Sequence, residues 1–308
     1  MEVGNRMVAV GNIIAGNEFI PILEGADLTA PFFMIARRKF LQAAGLGIAG
    51  AGMPGVPGLF AGAVAGVSPK LGIAGYSFLH VPIDQGIAMM KRVGIDALSI
   101  KDFYLPLDSS GETIKGVLDK FSAAGIRIYA AGVIYMKTTA EVDRAFEYAK
   151  KIGVDMIVGV PNPELLAYTE EKVKTYNIRV AIHNHGPGDL YPTPVEVYEH
   201  IRGLDPRIGL CVDIGHTARA GADPVKMVKD YAPRVLDIHM KDLSVITKEE
   251  HAIDLGTGVL DIVGLIKTLI HNRYGGYCSI EHELDMNDPL PGIAESAGYF
   301  RGVLKALG

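Results

Sequence analysis

Four apolar runs in this chain stop abruptly at residues that bind metals or move protons. Val180-Ala181-Ile182 runs into His183-Asn184-His185. The run IGLCVD ends in Asp213, with His216 one turn beyond. Asp237, His239 and Lys241 alternate through VLDIHMK, and YCSI leads into Glu281-His282-Glu283. Successive strand residues face opposite ways, so His183 and His185 should share one face, with Asn184 turned away to make structural hydrogen bonds. Asp237, His239 and Lys241 should share a face for the same reason. Buried charge must be paired or bound to metal. A divalent cation would neutralise Asp213 and Glu281 and use the imidazoles of His183 and His239. A lone histidine at a strand end is more often a satisfied polar residue than a ligand. What shifts the balance is the coincidence of four ligand-type residues on four consecutive segments.

Plainer readings stand beside this one. Lys241 and Asp242 make sense as a surface pair, Glu283 as a solvent-facing rim residue, and Asp102 and Asp108 as turn residues. Gly256-Thr257-Gly258 reads as a turn more readily than as a phosphate loop. Cys211 and Cys278 sit in separate apolar runs without a CxxC pair, so they read as core thiols. No GxSxG nucleophile motif competes.

The elements that must position these residues alternate. Strands are expected at 71–78, 97–100, 126–133, 156–160, 179–183, 208–213, 235–240 and 277–281, with periodic apolar segments between them. Thr138 with Glu141, and Thr193 with Pro194 and Glu196, read as helix starts. Gly94, Gly125 and Gly153 each stand between a helix and the next strand, where a left-handed residue is needed. The fourth unit is the weakest, with a short polar helix. Strand–helix alternation implies parallel strands, and eight units without a break predict a closed (β/α)8 barrel. Sites in such barrels lie at the C-terminal strand ends, where Lys101, His183, His185, Asp213, His239, Lys241 and Glu281 fall.

The chain has 308 residues, 49% hydrophobic and 21% charged, with a formal charge of −5. That suits a large core and gives no basic footprint for nucleic acid. RRKFLQAAGLGIAGAG, from Arg37, has the pattern of a twin-arginine export signal. Ala63-Val64-Ala65 fits a cleavage site, and Met34 is a natural start for such a signal. Residues 1–65 are therefore expected to be a leader, with the signal over 37–65. Residues 66–308 are expected to be the barrel domain, close to the usual ~250 residues. The expected location is periplasmic, or membrane-tethered if the signal stays uncleaved. Pro54, Pro57 and many glycines argue against a stable membrane span.

VDIGHTARAG (212–221), HMKD (239–242), LGTGVLD (255–261) and SIEHE (279–283) together resemble the xylose isomerase-like TIM-barrel superfamily over about residues 70–306. That group includes sugar phosphate isomerases and epimerases, sugar 3-epimerases, inosose dehydratases and endonuclease IV-type enzymes. The resemblance implies metal ligands at His183, Asp213, His239 and Glu281, with His216 and Lys241 contacting substrate or supporting the site. One position departs. Where the epimerases commonly carry glutamate, this chain has His183. It therefore keeps only Glu281 of the two glutamates that work on opposite faces of the sugar. Two imidazoles also favour Mn, Zn, Co or Fe(II) over Mg.

These readings point to one divalent metal and a carbohydrate substrate. The expected reaction is isomerisation or epimerisation by proton transfer beside a carbonyl, through an enediolate. Glu281 is the expected base, with His185, His216 or Lys101 as its counterpart. Lys241, His216 and Asn162 are expected to bind substrate. Elimination from a keto-sugar or keto-glycoside is the alternative, and a sugar-binding barrel without turnover is the third. Endonuclease chemistry fits poorly with the acidic balance and the export signal. Barrels of this kind often pair, so a homodimer is an open expectation.

Overall fold

Eight parallel strands close into a barrel in the computed structural model, which describes residues 67–249 and 251–308. The expected leader, with its twin arginines and cleavage site, lies outside the described residues. The barrel strands are β1 (Lys70–Ala74), β2 (Ala97–Ile100), β3 (Arg127–Met136), β4 (Met156–Pro161), β5 (Arg179–His183), β6 (Ile208–Asp213), β7 (Val235–Met240) and β10 (Tyr277–Ile280). Their order around the barrel is β1-β10-β7-β6-β5-β4-β3-β2. A short antiparallel pair, β8 (Asp242–Leu243) with β9 (Ala252–Ile253), follows β7. Among the described residues, no helix is long and apolar enough to cross a membrane.

The helices are α1 (Ile83–Val93), α2 (Gly111–Ala123), α3 (Thr139–Ile152), α4 (Leu166–Tyr176), α5 (Pro194–Ile201), α6 (Ile214–Arg219), α7 (Pro224–Asp230), α8 (Ile262–His271) and α9 (Leu290–Leu307). Their ends follow the sequence signals. The Thr138 hydroxyl accepts the Glu141 amide at the start of α3, and Thr193 with Glu196 forms a full capping box on α5. Gly153 closes α3 with φ +76°, a left-handed conformation that would strain a residue with a Cβ. α4 is as short and polar as expected and ends on left-handed Asn177.

Helix faces pack onto the barrel through apolar stripes. In α8, Ile262, Leu265, Ile266 and Leu269 are buried at helical spacing. Each such side chain contributes ~1.5–3 kcal/mol of burial, so Leu265→Ala should cost ~2–5 kcal/mol. Inside the barrel a smaller cluster of Ala97, Tyr129, Ala130, Met156, Val158, Ala181 and Cys211 fills the axis. Cys211 and Cys278 are buried free thiols, and burial pushes the Cys211 thiol up to about 12.

Besides the added β8–β9 pair, two barrel strands differ from the sequence reading. The first strand stops at Ala74 and continues as a 3-10 turn over Gly75–Phe78. The chain must pass close to β2 there: a Cβ on Gly75 would lie 2.6 Å from the Ser99 carbonyl oxygen. Ser77 in that turn donates to the Ile280 carbonyl and accepts from the His282 amide, tying the ends of β1 and β10 together. The second difference is β3, which runs on to Met136 with a register shift between Ala131 and Ile134.

Register sets the height of the polar residues. Asp213 pairs with His239, Ser279 with His239, and His183 with Cys211. The Glu281 amide still donates to the Met240 carbonyl at 3.0 Å, just past the end of β10. Of the four residues named as ligands from the sequence, only Asp213 and His239 are direct neighbours in this register; His183 lies level with Cys211 and Glu281 two residues past Ser279, and all four still converge at the rim.

Candidate metal centre

His183, Asp213, His239 and Glu281 offer one ligand atom each, all within 4.8 Å of one another, and all four residues are buried. His183 Nε2 lies 3.5 Å from Asp213 Oδ2, and His239 Nδ1 lies 3.4 Å from Glu281 Oε1. Strand ends fix these positions on β5, β6 and β7, and Glu281 follows β10 directly.

The hydrogen-bond ledger of these residues is unusual. Both ring nitrogens of His183, both of His239, and Asp213 Oδ2 are buried without a hydrogen-bond partner; among the described residues only Ser99 Oγ shares that state. Buried polar atoms are normally satisfied. A metal ion is the group that two imidazoles and two carboxylates at this spacing would satisfy together, so the residues fit a divalent metal. Burial holds the His183 imidazole below its ordinary value, in the neutral form a metal needs.

Each carboxylate turns one oxygen toward an imidazole, though at Asp213 that oxygen, Oδ2, also faces the Lys241 ammonium at 3.1 Å. Asp213 Oδ1 accepts the His216 amide at 2.8 Å, because Asp213 caps α6. Glu281 Oε2 accepts from Lys241 Nζ at 2.6 Å, which leaves Oε1 facing His239. Burial, the largest single influence, would raise both carboxyls, but the Lys241 ammonium and the neighbouring imidazoles together outweigh it and hold both below the usual carboxylate range. Burial likewise works against the Lys241 charge, and the Asp213, Glu281 and Glu283 carboxylates overcome it.

A cleft of about 390 Å³ opens above His183, His239 and Glu281, with Asp213 behind its lining, within the range of small-molecule sites. His183, His185, His216, Arg219, His239, Glu281, Glu283, Lys101, Tyr76 and Tyr135 contribute to its walls. His185 is half exposed, and its Nδ1 pairs with Asp189 Oδ2 at 2.9 Å. Its ring centroid lies 5.8 Å from that of His183 and 4.4 Å from that of His216. His216 is pushed down to about 3 by burial, so its ring is neutral. Its Nδ1 faces Arg219 at 3.2 Å. Arginine only donates, so that nitrogen accepts and Nε2 carries the hydrogen. Lys101 is tied to the Val133 carbonyl and Asp102, each at 3.0 Å.

Several expected roles meet a different geometry. Asn184 does turn away: it accepts the Asp213 amide and donates to Thr217 Oγ1, bracing β5 against α6. Asn162, expected to bind substrate, is not among the cleft-lining residues, and its amide donates to Glu164 Oε1 at 2.9 Å. Lys241 and Asp242 are not a surface pair; both are buried. Asp242 instead accepts the backbone amides of Leu243, Gly256, Gly258 and Leu260. The glycine turn at 256–258 is thus organised by an internal carboxylate, which already takes the amides that a phosphate would need. Glu283 faces the cleft and pairs with Lys241 rather than pointing to solvent. Asp108 pairs with Arg144 at 2.7 Å.

Sequence reasoning assigned no role to Arg219, Asp189, Tyr76 or Tyr135. Arg219 stands three residues after His216 on α6, and Asp189 four residues after His185. Both spacings were available as signals. Tyr76 and Tyr135 had none, since the turn after β1 and the extension of β3 place them.

The family model for the xylose isomerase-like TIM barrel matches residues 87–303, and the chain belongs to that family. A rhizopine catabolism protein, MocC of Rhizobium meliloti, is 27% identical over 136 residues, 39% of this chain and 42% of that protein. An inosose dehydratase of Lactiplantibacillus plantarum is 30% identical over 132 residues, 38% of this chain and 44% of that enzyme. The match thus spans less than half the length of these curated relatives. The structure of L-ribulose 3-epimerase superposes with a TM-score of 0.64 at 15% identity, covering 78% of this chain and 95% of that one. That of IOLI protein with a binding zinc atom does so with 0.64 at 15%, covering 78% and 99%. At that identity both likenesses are of fold.

Proposed function

We propose that this chain is a metal-dependent enzyme that moves a proton beside the carbonyl of a carbohydrate, as a sugar isomerase or epimerase does. The observation that carries this is the convergence of two partnerless buried imidazoles and two carboxylates, three of the four residues lining a cleft of small-molecule size. A divalent metal held by His183, Asp213, His239 and Glu281 would supply a Lewis acid beside a substrate oxygen. The mixed nitrogen and oxygen donors favour Zn, Mn, Co or Fe(II) over Mg, and the zinc atom of the IOLI protein agrees with that.

The surrounding residues then divide the work. His185, oriented by Asp189 and with no protein hydrogen bond on Nε2 among the described residues, takes the proton. Neutral His216 donates Nε2–H to a substrate hydroxyl. Lys101, on another wall of the cleft, is the counterpart acid. Glu281 has one oxygen toward His239 and the other on Lys241, so its part is that of a ligand more than a free base.

Elimination of water or an alcohol from a keto-sugar or keto-glycoside is the second reading. His183 favours it, because a symmetric epimerisation between two glutamates lacks its second glutamate, whereas elimination needs only one base and one acid. The inosose dehydratase relatives lend it weight. Incubation with a panel of keto-sugars and keto-glycosides in deuterated water, with and without zinc or manganese, separates the readings. Metal-dependent deuterium uptake with an epimer or isomer supports the first. Loss of water or alcohol with a UV-absorbing enone supports the second. Neither uptake nor enone with any member of the panel contradicts both and leaves a sugar-binding barrel.

The leader over residues 1–65 belongs to the same proposal and would direct the enzyme toward free sugars and glycosides outside the cytoplasm. N-terminal sequencing of the mature protein tests it, with a start at Gly66 expected.

A further inference from the structure

Two groups of metal-type side chains overlap at this rim. One is His183, Asp213, His239 and Glu281; the other is His216, Glu281 and Glu283, and they share Glu281. Between them lies the Lys241 ammonium. It stands 3.1 Å from Asp213 Oδ2 and 2.6 Å from Glu281 Oε2, and it also pairs with Glu283. The Lys241 side chain is 2% exposed. The backbone makes room for it: a Cβ on Gly215 would lie 2.5 Å from Lys241 Cγ and 2.6 Å from Cδ.

We propose that Lys241 is the built-in second cation of the centre, filling the place between Asp213, Glu281 and Glu283 that a second metal ion would take, and so holding the centre to one ion. This rests on the metal reading above. Three carboxylates converging at a buried point repel strongly in a low-dielectric setting and require a cation. A lysine ammonium is a compact charge with three donors, and here it meets three carboxylates. Glu281 is the hinge of the arrangement, with Oε1 toward the first group and Oε2 on Lys241. A lysine that only filled space would have no need to contact all three.

The test counts ions. Metal-free wild type, Lys241→Ala, Lys241→Arg and the double variant Lys241→Ala/Glu283→Gln are dialysed against zinc, and bound zinc per chain is measured by elemental analysis. One ion is expected in wild type and in Lys241→Arg, two in Lys241→Ala, and one again in the double variant. Lys241→Ala should also melt lower than wild type when metal-free and gain more from zinc. Circular dichroism verifies that it is folded, and Lys241→Gln, which keeps more of the stem, takes its place if truncation prevents folding. Two ions in wild type, or one ion in folded Lys241→Ala or its substitute Lys241→Gln, would overturn the proposal while leaving the metal reading intact. No zinc in wild type would overturn both.

Discussion

Two polar clusters lie buried inside the same barrel, and they are satisfied in opposite ways. One is built on Tyr129, Asp237 and Ser279. Tyr129 donates to Asp237 at 3.1 Å and shares a hydrogen bond of 2.5 Å with Ser279. The other lies at the rim, where His183, Asp213 and His239 keep five buried atoms without a hydrogen-bond partner. β7 supplies both, with Asp237 two residues before His239. Burial pushes the Asp237 carboxyl up to about 7, whereas Lys241 and the rim imidazoles together hold Asp213 and Glu281 down against the same burial. The difference teaches which cluster serves the fold and which serves a ligand. A closed hydrogen-bond network contributes to stability without needing anything more. An open one of the same burial costs free energy until something binds.

That contrast can be broken by substitution. The largest effect is expected from His183→Leu, which swaps a partnerless imidazole for an apolar side chain. Metal-free stability should stay within ~1 kcal/mol of wild type, while the rise in melting temperature on adding zinc disappears and turnover falls by ~10³ or more. A large loss of metal-free stability would place His183 in the structural class instead. His185→Ala comes next: turnover should drop by ~10²–10⁴ with zinc still bound, measured by steady-state kinetics and elemental analysis. Asp189→Asn should lower turnover in the same direction and by less. Tyr129→Phe has the smallest functional effect. Removing its hydroxyl strips a donor from buried Asp237, at a cost of ~1–3 kcal/mol by denaturant unfolding, with the zinc count unchanged. Zinc loss in Tyr129→Phe would show that the two clusters are one.

Much of this was readable in the sequence, for identifiable reasons. Barrel strands are buried on both sides and read as apolar runs, so all eight were located to within a few residues. His183, Asp213 and His239 ended such runs, and parallel register then required them to meet. What escaped depended on packing or on loops. Lys241 and Asp242 look like a surface pair because lysine and aspartate usually are exposed; only the fold shows carboxylates around one and backbone amides around the other. Asn162 sits at a strand end yet bonds to its neighbour Glu164, since a strand end gives height on the barrel but not the direction of the side chain. The β8–β9 pair was missed because two-residue strands carry no periodicity.

The most direct measurement is anomalous diffraction at the zinc edge from zinc-soaked crystals of the wild-type chain. A single peak within about 2.0–2.2 Å of donor atoms from His183, Asp213, His239 and Glu281 is expected. No peak among those four residues, with their side chains still converging, would contradict the assignment of this rim as a metal centre.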